Sequence, residues 1–256
     1  RKTFYDLWDN MFRIVLLNLG FLASLAIPLL LPGVILKNLP VLAIIVFVVG
    51  VSWCSVYLAA SALSVKAVSD YGSFGFHDFF RNLKAAWPAG LILSGIIIAL
   101  CTVAWIIIPF YLEMASVFGL LLAAVIFWTL ALTVLSFQWF FSIRARLDTK
   151  PKKIIKKCFI IFFDNAGFSL FCLLYNIVGL VFSVILAFLM PGPAGILLYL
   201  DEGLRLRLLK YDWLEANPEA TPSRKRRKIP WDAILIEERE KTGTRTLKNF
   251  IFPWKD

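Results

Sequence analysis

The chain alternates long unbroken apolar runs with short polar or basic connections. A hydrocarbon core about 30 Å thick is crossed by roughly 20 apolar residues at about 1.5 Å each. Five runs meet that requirement: Ile14 to Leu31, Leu39 to Val65, Ala89 to Leu112, Val117 to Ile143, and Gly167 to Met190. A sixth, Ala194 to Leu209, is shorter and carries Asp201, Glu202, Arg205 and Arg207. Backbone N–H and C=O groups find no water in lipid, so every span is expected to be helical, even where Val and Ile would suggest strands in water. The predicted fold is all-α, a polytopic membrane helical bundle of six transmembrane helices with the sixth short, over residues 1–210. A cytoplasmic tail, residues 211–256, follows it.

Basic residues orient the spans. The connections at Lys37, at Glu113 and at Met190-Pro191-Gly192-Pro193 hold no Lys or Arg other than Lys37 itself. The intervening segments hold the rest, among them Lys2, Arg13, Lys66, Arg81, Lys84, Arg144, Arg146, Lys150, Lys152, Lys153, Lys156 and Lys157. Loops alternately poor and rich in basic residues imply an even number of spans with both termini cytoplasmic. The first apolar run is too long for a typical signal-peptide core and no small-residue cleavage site follows it, so it reads as a span.

Three amphipathic pieces precede spans. Phe4, Leu7, Trp8, Met11 and Phe12 share one stripe, which suits either a helix at headgroup level or an extension of the first span. Phe76 to Trp87 and Lys152 to Asn165 are basic-aromatic elbows ahead of the third and fifth spans, expected as cytoplasmic interfacial helices. Their likeness suggests an internal duplication. Aromatic rings favour the interface and Lys or Arg favours anionic headgroups, so Arg81, Lys84, Lys152, Lys153, Lys156 and Lys157 are candidate lipid contacts or docking points for a cytoplasmic partner.

The tail holds the basic run Arg224-Lys225-Arg226-Arg227-Lys228. Beside a membrane, attraction to anionic headgroups accounts for that run without invoking nucleic acid. Trp231 to Lys241 is expected as a short helix stopped at Gly243. Ile229-Pro230-Trp231-Asp232 and Phe252-Pro253-Trp254-Lys255 repeat a hydrophobic-Pro-Trp pattern. Trp231 and Trp254 are therefore candidate anchors to a partner, to lipid, or back onto the elbows.

Composition narrows the chemistry. Apolar residues make up 60% and charged ones 17%, against about 45–50% and about 25% in soluble domains. Mean hydropathy is +0.78 and formal net charge +10. Four cysteines and one histidine, with no metal-ligand spacing, give no basis for a disulfide scaffold or metal cluster. No phosphate-binding loop, nucleophile elbow or dinucleotide fingerprint occurs. No enzyme and no cofactor is expected. The polar residues of interest lie in the spans. Asp201 and Arg205 stand four apart and Glu202 and Arg205 three apart, so a local ion pair is geometrically possible. Structural pairing and a proton or substrate pathway are both open readings. Asn18, Gln138 and Asn176 are expected to bond across helices.

Ser61-Ala62-Leu63-Ser64-Val65-Lys66-Ala67-Val68 with Phe79-Phe80-Arg81-Asn82-Leu83-Lys84-Ala85-Ala86-Trp87, and Leu17-Asn18-Leu19-Gly20-Phe21-Leu22 running on to Pro28, resemble the YesL-like family of bacterial membrane proteins. The likeness covers about Phe4 to Lys210. It implies a multi-pass protein of the bacterial cytoplasmic membrane, with an accessory role beside carbohydrate ABC importers. The expected function is thus a non-enzymatic accessory protein supporting a partner membrane complex. The alternatives are a small transporter using Asp201, Glu202 and Arg205, and an envelope protein that binds anionic lipid.

Overall fold

The computed structural model describes residues 2–217 and 229–243, so Arg224, Lys225, Arg226, Arg227, Lys228 and Trp254 lie outside the described residues. The chain divides into two compact units, one of residues 3–202 and one holding residue 2 with the residues from Gly203 onward.

In the first unit every described regular element is helical: α1 (Lys2–Asp9), α2 (Met11–Ile35), α3 (Pro40–Ser69), α4 (Phe76–Thr102), a π-turn at Val103–Ile107, α5 (Ile108–Glu113), α6 (Val117–Phe137), α7 (Phe140–Arg146), α8 (Pro151–Asp164), α9 (Ala166–Ile185) and α10 (Gly192–Ala216), which runs on past Glu202. Five rods are long and apolar enough to cross a membrane: Met11–Ile35, Pro40–Ser69, Phe76–Glu113, Val117–Arg146 and Ala166–Ile185. The protein is a multi-pass helical bundle. The sixth apolar run forms α10, which does not meet the same measure among the described residues. Its apolar stretch ends at Asp201, only about 10 Å along the axis from Ala194. The count is therefore five long apolar spans and one further helix, of 25 residues, whose apolar stretch is short.

Helices gain nothing hydrophobically from pairing in lipid, so close packing and polar bonds must hold them. Along α2 and α3, Tyr57 Oη donates to Leu17 O at 3.0 Å, Trp53 Nε1 to Ser24 Oγ at 3.0 Å, and Gly50 abuts Pro28. Numbers fall on α3 as they rise on α2, so the two are antiparallel. The same holds for α3 and α4, where Asn82 Nδ2 donates to Ser64 Oγ at 3.1 Å and Ser52 meets Ser94 at 3.0 Å. Between those contacts Gly90 lies against the backbone of Val56, an approach that a Cβ would block. The π-turn ends two residues before Pro109, whose ring cannot fit beneath a regular i−4 carbonyl.

The three amphipathic pieces differ from one another. α1 is separated from α2 at Asn10. It buries Tyr5 and turns Leu7 to the core of Ile14, Leu17, Val65 and Leu198, while Phe4, Trp8, Met11 and Phe12 stay exposed. α1 is thus a helix of its own rather than an extension of α2, and of the predicted stripe only Leu7 turns to the core. The first elbow is no separate helix: it supplies the opening turns of α4, capped where Gly75 N donates to Asp78 Oδ2 at 3.0 Å. The second is a helix of its own, α8, broken from α9 at Asn165. The two elbows thus differ in how they join their spans.

In the second unit, α11 (Trp231–Ile234) and α12 (Ile236–Thr242) occupy the expected tail helix, interrupted at Leu235 and ended at Gly243 with φ +69°. Arg205 pairs with Glu238 at 2.5 Å and Arg239 with Asp232 at 2.6 Å. Trp231 is half-buried.

Candidate functional site

The buried charge of the first unit gathers where α3, α7 and α10 meet. Asp201 has an apolar sequence before it and a side chain only 2% exposed, so it needs a countercharge. The fold supplies Arg146, the last residue of α7. Arg146 Nε donates to Asp201 Oδ1 at 2.8 Å while Nη2 reaches Oδ2, a bidentate fork matched to a carboxylate. The guanidinium also donates to Asp70 Oδ1 at 2.9 Å and to Ser69 Oγ at 2.9 Å, at the end of α3. The Arg146 and Asp201 side chains are 9% and 2% exposed, whereas Asp70 is 41% exposed. The pair is sealed from solvent, and Asp70 opens the network at one edge.

The next carboxylate faces elsewhere. Glu202 is buried and accepts from the Thr3 hydroxyl on α1. Arg205 binds Glu238 in the second unit. Asp201 thus pairs with Arg146, Glu202 accepts from Thr3 and Arg205 pairs with Glu238, each with a partner distant in the sequence. A helix turns successive side chains by about 100°, so Asp201 and Glu202 look toward different neighbours. In the sequence Arg146 is one of several basic residues after the fourth span, and no local spacing marks Asp70, Ser69 or Thr3. The available signal was a buried acid with no strong local partner.

A second polar knot fixes the start of α10. Asn18 is fully buried; its Nδ2 donates to Leu189 O at 2.9 Å and to Pro191 O at 3.0 Å, and its Oδ1 accepts from Ala194 N at 2.9 Å. Ser183 Oγ accepts from Gly192 N at 2.9 Å. Gly192 has φ +58° and lies so close to the Asn18 amide that no side chain fits there. Asn18 thus satisfies groups of a turn and a helix start that lipid would leave unpaired. The expectation for Gln138 also holds: it bonds Ser169 O at 3.0 Å, across to α9.

No protein-family model, no curated protein and no solved structure matches the chain. The site is accordingly read from its own geometry. Among the described residues no group of three or more His, Cys, Asp or Glu side chains is placed to hold a metal ion.

The outward surfaces carry the remaining predicted residues. Arg81 is exposed and pairs with Asp78 at 2.8 Å, and Lys84 is exposed on the same opening turns of α4. On α8, Ile154, Cys158, Ile161 and Phe162 are buried. The opposite face presents Lys152, Lys153 and Lys156 beside exposed Ile160 and Phe163. Lys157 is half-buried, 3.5 Å from Asp148. The Lys150 backbone N–H and these lysines hold the Asp148 carboxyl below the usual range. Burial pushes the Cys158 thiol up to about 12. A thiol so placed is inert at neutral pH.

Proposed function

We propose that the chain is a non-enzymatic integral membrane accessory protein that supports a partner membrane complex. The observation that carries this reading is the capture of Asp201 by Arg146, which commits the most deeply buried acid among the described residues to holding helices together. With that charge spent on structure, the chemistry left for recognition is the outward basic and aromatic surface of α4 and α8 and the Pro-Trp tail. The YesL-like resemblance points to a bacterial cytoplasmic membrane, cytoplasmic termini and a carbohydrate ABC importer as partner. Co-purification in mild detergent tests the reading: full-length chain retains its partner, and a chain ending at residue 217 loses it. Equal recovery from both refutes a docking role for the tail.

A second reading, an anionic-lipid-binding envelope protein, is favoured by the α8 face, where lysines alternate with apolar side chains as at a headgroup boundary. It predicts that thermal stability rises with anionic lipid content whether or not a partner is present.

A further inference from the structure

The Asn18 bonds fix how deep the turn between α9 and α10 lies. That turn is held directly by the Asn18 amide, through Leu189 O, Pro191 O and Ala194 N. Along α2, Asn18 is about 10 Å from Met11 and about 25 Å from Ile35, the end beside Lys37. From the same turn, α10 travels only about 13 Å before Asp201 meets Arg146, which also holds Asp70 at the end of α3. The turn therefore sits near the Asp70 side and well short of the Lys37 side.

Packing agrees with the bonds. The core that receives Ala194, Leu197 and Leu198 takes Ile14 and Leu17 from the first turns of α2 and Ala62, Val65 and Val68 from the last turns of α3. Beyond Pro28, α2 leaves Leu29, Leu30, Leu31 and Val34 exposed. α9 is tied to the Asp70 side at both ends. Gln138 Nε2 and Trp139 Nε1 each donate to Ser169 at 3.0 Å, about 10 Å of chain before Arg146, and Ser183 Oγ accepts from Gly192 N. Ser169 and Ser183 are about 21 Å apart on α9, so the helix runs obliquely to reach both anchors.

We propose that α9 and α10 form a re-entrant pair: α9, although long enough to cross, turns back within the half of the membrane next to Asp70. The full crossings are then α2, α3, α4 with α5, and α6, an even number that keeps Met11 and Asp201 on one side. Irregular backbone at that depth needs protein partners, which Asn18 and Ser183 supply. The lack of Lys and Arg in Met190-Pro191-Gly192-Pro193 reflects depth in lipid rather than an outer loop. Recognition on the Lys37 side is left to the turns at Lys37 and Glu113.

The test uses full-length chains with one added cysteine, Leu189→Cys or Asn38→Cys, both at exposed positions, in sealed vesicles. A membrane-impermeant maleimide is applied to either face, and peptide mass spectrometry separates the added thiol from the native cysteines. Asn38→Cys should react from one face only. Leu189→Cys should react from that face at least about tenfold more slowly, because water does not reach the turn. In unaltered protein in nanodiscs, hydroxyl-radical footprinting should oxidise Met114, in the turn after Glu113, about tenfold faster than Met190. Leu189→Cys reacting from the Asn38 face as fast as Asn38→Cys overturns the proposal. So does Met190 oxidised as fast as Met114, a comparison that involves no substitution.

Discussion

Replacing Arg146 by Met removes the guanidinium and leaves Asp201 buried at 2% side-chain exposure with no opposite charge. Breaking one partner of a buried pair costs about 3–5 kcal/mol, because the remaining charge keeps its desolvation penalty and loses its compensation. The bidentate geometry, with Nε–Oδ1 at 2.8 Å, places R146M toward the upper figure, since Ser69 and Asp70 also lose a donor. Asp201→Leu should cost less, about 3 kcal/mol, because Arg146 keeps Asp70 at 2.9 Å. The double variant carries no buried charge at this site apart from the half-exposed Asp70. It should lie within about 1 kcal/mol of the unaltered chain, since apolar replacement of a whole buried pair is often neutral or stabilising. The assay is unfolding in mixed micelles titrated with denaturing detergent, followed by far-ultraviolet circular dichroism for all four chains. A double variant whose loss equals the sum of the two single losses refutes the reasoning, because it shows that the groups do not interact.

Asn18→Leu removes three bonds, each worth about 0.6 kcal/mol in a bilayer, and should cost about 2 kcal/mol in the same unfolding assay. Cys158 is protonated in the native state well past the point where an unfolded thiol ionises. Stability should therefore fall as pH climbs above about 8.5 and go on falling until about 12, and Cys158→Ala should flatten that slope. Lys152, Lys153 and Lys156 together contribute up to about 3 kcal/mol of attraction to an anionic surface. Changing all three to Gln should abolish the rise in melting temperature that phosphatidylglycerol gives over phosphatidylcholine. Asp201→Asn in reconstituted vesicles should leave solute flux unchanged; a loss of flux in folded protein would favour the transporter alternative.

What the sequence made legible was governed by long runs of one kind of residue. Five spans follow from apolar length alone, and Val- and Ile-rich stretches such as Pro40–Ser69 are helical because lipid leaves the backbone no other partner. Local signals also carried through, as with Gly243 ending the helix after Trp231. The site was harder to see. Asp201 and Arg146 are 55 positions apart, and their pairing depends on how α7 and α10 are brought together. Spacing rules such as i, i+4 offered Arg205 instead, a partner that the fold directs to Glu238. The split of the opening stripe has a related cause: periodicity groups Phe4 with Leu7 and Trp8, but the neighbouring helices decide which of them is covered.

The two polar knots explain why a membrane helix should keep costly groups. α10 is bonded near Gly192 by Asn18 and at Asp201 by Arg146, positions about 13 Å apart along its axis. Apolar contacts alone would let a helix slide or rotate against lipid-like neighbours with little penalty, whereas directional bonds at two points along its first ten residues specify one depth and one rotation. A transport cycle routed through Asp201 would have to release it from Arg146, leaving the buried carboxylate uncompensated while Arg146 keeps Asp70, unless the substrate supplied a charge in exchange. An uncharged sugar supplies none. The closed pair is therefore compatible with a place beside a sugar importer and unfavourable to sugar passage through this chain, which is the physical reason for ranking the accessory reading above the transporter.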